Sequence, residues 1–159
     1  MNSAIERLLT LRVSDVMSRN VTSIEASKTM PEGATILTQH FISGAPVVGQ
    51  QGECVGILSA TDFVRCIAES ARVERETGEK LNGESEGRHA CAVEATDSVT
   101  SHMSALLQTV EANQPLMEAA RLMCQSHIHR LVVLDAQHHP VGMLTSLDIV
   151  AAVINAVEE

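Results

Sequence analysis

Hydrophobic and polar positions alternate along this chain with two different periods. Ile5, Leu8 and Leu9 share one face of a short helix predicted over 2–11. Val13-Ser14-Asp15-Val16-Met17 follows as a turn, and Val21-Thr22-Ser23-Ile24 alternates as a strand does. Ser27 or Thr29 then caps a helix that carries Pro31 and Glu32 in its first turn. Its apolar set is Met30, Ala34, Ile36, Leu37 and Phe41, and Ser43-Gly44 ends it. Pro46-Val47-Val48 starts a buried strand. Residues 50–53 turn, 54–58 pair back as a hairpin strand, and a helix runs from Asp62 to about Glu76.

The same order of elements then returns. A strand at Thr109-Val110, a helix over about 114–126, strands at 130–134 and 141–144 around a turn at 137–140, and a helix over 148–157 are predicted. Between the two sets, residues 77–90 are polar, charged and glycine-rich, which reads as a linker. The return is in register. Gly56-Ile57-Leu58-Ser59-Ala60-Thr61-Asp62 is matched by Gly142-Met143-Leu144-Thr145-Ser146-Leu147-Asp148, at an offset of 148 − 62 = 86. At that offset, without a gap, Val13 meets Val99, Met17 meets Met103, Ser18 meets Ser104, Glu32 meets Glu118, Ile42 meets Ile128 and Val64 meets Val150. The expected fold is α/β: two strand–helix–strand–strand–helix repeats with pseudo-two-fold symmetry. The expected organisation is 1–76 for the first repeat with its leading helix, 77–90 for the linker and 91–159 for the second repeat.

Composition narrows the function. Hydrophobic residues make up 45% of the 159, enough for a core, yet Phe41 and Phe63 are the only aromatics. A formal net charge of −9 offers no basic field for a nucleic-acid backbone, and without Trp or Tyr there is no platform for stacked bases. Cys54, Cys66, Cys91 and Cys124 form no Cys-x-x-Cys pair. The first residues lack the apolar run of a secretion signal, so reduced thiols in the cytoplasm are expected. No stretch is apolar over a length that spans a bilayer.

Several motifs together resemble the cystathionine-β-synthase (CBS) domain family. They are Asp15-Val16-Met17-Ser18, Ala45-Pro46-Val47-Val48, the two Gly-hydrophobic-hydrophobic-Ser/Thr-x-x-Asp turns and Ile128-His129-Arg130-Leu131-Val132-Val133-Leu134-Asp135. The resemblance covers nearly all of the chain except 77–90. It implies a tandem pair, a Bateman module, that holds an adenosine-containing ligand between its repeats, regulates another protein and has no catalysis of its own.

The residues themselves allow two readings at each position. A carboxylate at a helix N-terminus is stabilised by free N–H groups and the helix dipole, so Asp62 and Asp148 fit capping. The resemblance implies that each also accepts the two ribose hydroxyls. Ser59 and Thr145 are turn residues that the resemblance places along the sugar and phosphate; Thr61 adds a hydroxyl where Leu147 has none. His129 and Arg130 are neighbours on a strand and point to opposite faces. By resemblance Arg130 reaches the phosphates of the Asp62 site and His129 the Asp148 site; a surface ion pair and an edge histidine are the alternatives. For adenine the resemblance points to Asn20 and Thr22 in one pocket, Leu107 and Thr109 in the other, and Ile42 and Ala45 as walls. Ordinary core packing accounts for the apolar members equally well.

Other chemistry is not expected. His127 and His129 share a strand side, but no carboxylate or Cys is spaced to complete a metal site with them or with His138-His139. No nucleophile–base order, P-loop or Gly-x-Gly-x-x-Gly occurs. The expectation is therefore a non-enzymatic sensor of AMP, ADP or ATP type, without cofactor or metal. It would be a homodimer through Phe63, Ile67, Ile149 and Val153, acting on a partner protein that the sequence does not name. S-adenosylmethionine binding, or an interaction module with degenerate or empty pockets, is the alternative.

Overall fold

The structure, a computed structural model, describes residues 3–77, 96–105 and 108–158. Leu107 and all of the predicted linker except Thr77 lie outside the described residues. In the first repeat the elements are α1 (Ser3–Thr10), α2 (Val13–Val16), β1 (Ile24–Glu25), α3 (Met30–Gln39), β2 (Gly44–Val48), β3 (Cys54–Ser59) and α4 (Ala60–Thr77). In the second they are α5 (Val99–His102), β4 (Thr109–Glu111), α6 (Leu116–Ser126), β5 (Arg130–Leu134), β6 (Pro140–Thr145) and α7 (Ser146–Glu158). The order strand, helix, strand, strand, helix holds in both. The start of α3 follows from local chemistry: the Thr29 hydroxyl accepts from the Glu32 amide while the Glu32 carboxylate accepts from the Thr29 amide.

Each repeat forms a three-stranded sheet, ordered β1-β2-β3 and β4-β5-β6. β1 runs parallel to β2 with Ile24 opposite Val47, and β4 parallel to β5 with Val110 opposite Val133. β6 returns antiparallel to β5, with Leu131 opposite Leu144 and Arg130 opposite Thr145. The central strand β5 is covered on both faces, which is why Leu131-Val132-Val133-Leu134 is an unbroken apolar run rather than an alternating one.

The compact units are not the two halves of the sequence. Described residues within Met1–Ser23, Gln51–Cys54 and Leu106–Glu159 form one unit, and those within Ile24–Gln50 and Val55–Ala105 form the other. The leading segment of each repeat thus packs on the other repeat's sheet. Val13 and Met17 lie in one core with Leu116, Leu131, Val133 and Leu144. Val99 lies in the other with Ile24, Met30, Val47 and Leu58. Backbone pairs fasten both segments. Ser18 and Met143 exchange amide–carbonyl bonds of 2.9 Å each, and Ser104 and Ile57 exchange bonds of 2.9 and 3.1 Å. A Cβ on Gly142 would overlap the Met17 sulfur, and one on Gly56 the Met103 sulfur. The glycine that opens each repeated turn therefore makes room for a methionine of the exchanged segment.

Three local expectations change for reasons visible here. Residues 13–16, expected as a turn, form a helical turn in which the Asp15 carboxylate accepts from the Arg12 amide at 2.8 Å. The strand expected over 21–24 is confined to Ile24–Glu25, because the chain leaves one unit at Ser23 and joins the other sheet only at Ile24. Phe41, expected on the apolar face of α3, is 97% exposed. The helix stops at Gln39, and Phe41 takes a left-handed φ of 53°, as His127 does at the matching place with 52°. That conformation turns its side chain off the core face, at a cost of about 1 kcal/mol for a non-glycine residue.

Gly142→Ala and Gly56→Ala are each expected to lower unfolding stability by about 1–3 kcal/mol, the cost of overpacking a filled contact. Urea denaturation midpoints check this. Unchanged midpoints would show that Met17 and Met103 move aside freely.

Candidate functional site

The two Gly-to-Asp turns are the most regular local feature of the molecule. In the first, Ser59 precedes α4, and the Asp62 Oδ2 accepts from the Ser59 amide at 2.7 Å and the Ser59 hydroxyl at 2.8 Å. In the second, Thr145 precedes α7, and the Asp148 Oδ2 accepts from the Thr145 amide and hydroxyl, both at 2.7 Å. The Thr145 hydroxyl in turn accepts from the Asp148 amide at 3.3 Å. The Ala60 amide donates to the Ser43 carbonyl, and the Ser146 amide to the His129 carbonyl, both at 3.0 Å. Each carboxylate reaches back to the amide and hydroxyl of the residue before its helix rather than to free amides of the helix itself, and only at Thr145 does the hydroxyl also cap the amide three positions on.

The second oxygen of each carboxylate separates the two turns. Asp62 is only 2% exposed, and its Oδ1 meets the Ser104 hydroxyl at 3.3 Å and an Arg65 guanidinium nitrogen at 3.4 Å. Asp148 is half-buried, and its Oδ1 has no hydrogen bond among the described residues. The cause lies in the sequence. Arg65 is matched by Ala151 at the offset of 86, and Ser18, the match of Ser104, makes no bond to Asp148. One carboxylate is saturated by its own unit; the other keeps an acceptor.

The remaining candidates sort by unit. With Asp148 and Thr145 lie Arg130, directly across the ladder from Thr145, and His129, which is exposed. Burial pulls the Arg130 guanidinium below its ordinary value, yet such a group stays charged at neutral pH. Asn20 and Thr22 follow Ser18 in that unit, and Thr109 opens β4 there. Asn20 is exposed; Thr22 and Thr109 are half-buried. With Asp62 lie Ser59 and the exposed Thr61, the half-buried Ile42 and the buried Ala45. Ala45 is a core residue packed with Ile24 and Leu58, so it offers no surface as a pocket wall. Sequence reasoning missed Ser104 and Arg65 as partners of Asp62. The available signal was Arg65 three positions along one helix from Asp62, with no basic residue at the match. An open cavity of about 210 Å³ lies elsewhere, at the C-terminal ends of β4 and β5, where Glu111 and Asp135 line it. None of the sequence candidates touches it.

Among the described residues no helix is long and apolar enough to cross a membrane. The CBS domain profile matches residues 13–69 and 99–155. The chain is 27% identical over 134 residues to L-aspartate semialdehyde sulfurtransferase of Methanosarcina acetivorans, covering 84% of this chain and 22% of that protein. It is 28% identical over 137 residues to the CBS domain-containing protein YhcV of Bacillus subtilis, covering 86% and 81%. The chain thus spans about a fifth of the length of the sulfurtransferase. The solved CBS domain pair of protein MJ0100, in complex with 5′-methylthioadenosine and S-adenosyl-L-methionine, aligns with a TM-score of 0.71 at 21% identity over 94% of this chain and 98% of that one. CBSX2 in complex with AMP aligns with a TM-score of 0.71 at 21% identity over 93% and 98%. At these identities the likeness shows a shared fold, two tandem repeats each with a small sheet and helices.

The two carboxylates are expected to differ in stability cost. Asp148→Ala removes a cap worth about 0.5–2 kcal/mol. Asp62→Ala also strands buried donors and should cost about 1–3 kcal/mol more. Urea denaturation of both variants checks the order; equal costs would contradict it.

Proposed function

Since the chain belongs to the CBS domain family, with one copy in each repeat, we propose that it is a regulatory module that binds an adenosine nucleotide of the AMP, ADP or ATP type. The observation that carries this reading is the unbonded Oδ1 of Asp148, in a half-buried turn whose Thr145 lies opposite Arg130 across the β5–β6 ladder. A fixed carboxylate with one open oxygen accepts a sugar hydroxyl, and a desolvated guanidinium suits phosphate oxygens. Ligand-bound solved pairs of the same fold support adenosine as the common element. Asp148 is the ribose acceptor in this reading, with Thr145 beside the sugar. This reading moves Arg130 from the Asp62 site, where the resemblance put it, to the Asp148 site, because Arg130, Asn20, Thr22, Thr109 and Asp148 all lie in one unit; His129, on the opposite face from Arg130, is left without a contact to the phosphates. Asp62, with Ser59, Thr61 and Ile42, belongs to a second site that stays closed to ribose unless Arg65 and Ser104 release the carboxylate.

The module is read as cytoplasmic, without catalysis of its own, acting on a partner protein through ligand-dependent packing. Ligand shifts that packing only by its differential affinity for two arrangements. S-adenosylmethionine is the second reading, favoured by the MJ0100 complex. It keeps the ribose contact and dispenses with the phosphate contact.

The homodimer part of the reading rests on the final helices. Phe63 and Ile149 turn towards the cores, whereas Ile67 and Val153 stay exposed at matched positions, joined by the matched Val64 and Val150 and by Leu147, Ile154 and Val157. On each helix taken by itself these residues leave an apolar face that a second copy would cover in this reading.

Calorimetric titration of AMP, ATP, adenosine and S-adenosylmethionine tests the ligand. Asp148→Ala should weaken every adenosyl ligand ten- to hundred-fold, from a loss of about 1.5–3 kcal/mol. Arg130→Ala should weaken AMP and ATP but spare adenosine and S-adenosylmethionine. Asp62→Ala should leave affinity within a few-fold. A folded Asp148→Ala protein that binds all four as the parent does, or a parent that binds none, would leave an interaction module with empty pockets. For assembly, Val150→Glu with Ile154→Glu should convert a dimer mass to a monomer mass by light scattering. A monomeric parent would refute the dimer.

A further inference from the structure

At one further place the matched residues of the two units differ in chemistry as a group. Where α2 meets α7, Leu11, Val16 and Ala152 pack as part of an apolar core. Their matches at the offset of 86 (11 + 86 = 97, 16 + 86 = 102, 152 − 86 = 66) are Asp97, His102 and Cys66. All three apolar residues are replaced by metal-ligating ones, and in the other unit they converge. One ligand atom from each, with the Cys66 sulfur buried on α4 and Asp97 and His102 half-buried around α5, lies within 4.8 Å of both others. The His102 Nε2 and an Asp97 Oδ2 are 3.7 Å apart.

We infer that Cys66, Asp97 and His102 form a Zn²⁺ site with three protein ligands and one open position. Thiolate, imidazole and carboxylate together are the donor set that Zn²⁺ prefers, and tetrahedral bonds at its usual lengths put ligand atoms about 3.3–3.7 Å apart. The His102–Asp97 pair is at that spacing, and a contraction of about 1 Å brings in the longest separation. The backbone around the ligands is already held. The Asp97 carbonyl accepts from the Met30 amide at 2.7 Å, the Val99 amide donates to Lys28 at 3.0 Å, and the Met103 amide donates to Val99 at 2.9 Å. The metal fastens the exchanged segment α5 to α4, where the other unit does the same with apolar contact. The fourth position takes a water or an incoming donor.

The full chain itself supplies the control. Replacing all three residues by their matches (Cys66→Ala, Asp97→Leu, His102→Val) copies a packing that the molecule already uses, so the protein should fold by circular dichroism. Co²⁺ is the probe, titrated anaerobically. The parent should show a sulfur-to-cobalt charge-transfer band and tetrahedral visible absorption saturating at one ion per chain, both displaced by Zn²⁺. Cys66→Ala alone should lose the charge-transfer band, and the triple variant should lose Zn²⁺ affinity at least a hundred-fold. His127→Ala with His138→Ala and His139→Ala should change neither. The inference is overturned if the parent gives no thiolate band, or if the folded triple variant keeps parental Zn²⁺ affinity, which would place the metal on the other histidines.

Discussion

In each unit of this protein a methionine from the exchanged segment lies directly on the glycine that opens the Asp turn. Met17 fills the space over Gly142, and Met103 fills it over Gly56. Each methionine is brought by a segment whose own repeat builds the other sheet. The cores depend on that exchange, because Val13 and Val99 are fully buried only in the company of residues from the opposite repeat. One repeat alone would leave the apolar face of its sheet without its cover, which costs roughly 25 cal/mol for each Å² returned to water. Each core is therefore completed by a segment of the opposite repeat, although the sequence presents them as two successive copies.

From that frame the two aspartate turns acquire different characters. Both reach back with one oxygen to the amide and hydroxyl of the residue that ends a strand, and at Thr145 the hydroxyl returns a bond to complete a capping box. The exchanged segment then acts on the second oxygen. Ser104, carried in beside Met103, reaches Asp62, and Arg65 joins it from one turn along the helix. Ser18, carried in beside Met17, leaves Asp148 alone, and Ala151 has nothing to offer. Two matched local motifs thus end as one structural carboxylate and one with an acceptor to spare. The same exchanged segments set apolar residues against α7 and ligating residues against α4. Duplication supplied the geometry, and substitution at matched places supplied the difference.

Much of this was legible in the residues in order. The element sequence, the α/β class, the capping of α3 by Thr29 and Glu32, and the equivalence of the Asp62 and Asp148 turns all depend on neighbours within a few positions. Period and capping chemistry report such contacts directly. The family followed from two copies in register. The saturation of Asp62 and the outward turn of Phe41 were not legible, and for Ala45 the residues left pocket wall and core equally open. Ser104 is 42 positions from Asp62, and nothing in the spacing says that they touch.

The sequence by itself therefore determined the repeats and the local form of each turn, since these depend on contacts within about one helical turn or one hairpin. Tertiary structure alone decided which repeat's segment lies on which sheet, and with it which carboxylate is sealed and which is open. It also decided that Cys66, Asp97 and His102, spread over 36 positions by numbering (102 − 66 = 36), come within 4.8 Å of one another. The physical reason is that burial is non-directional along the chain. A sheet face accepts any apolar segment that fits its gap, and the partner is chosen by the shape left over a glycine rather than by distance in sequence.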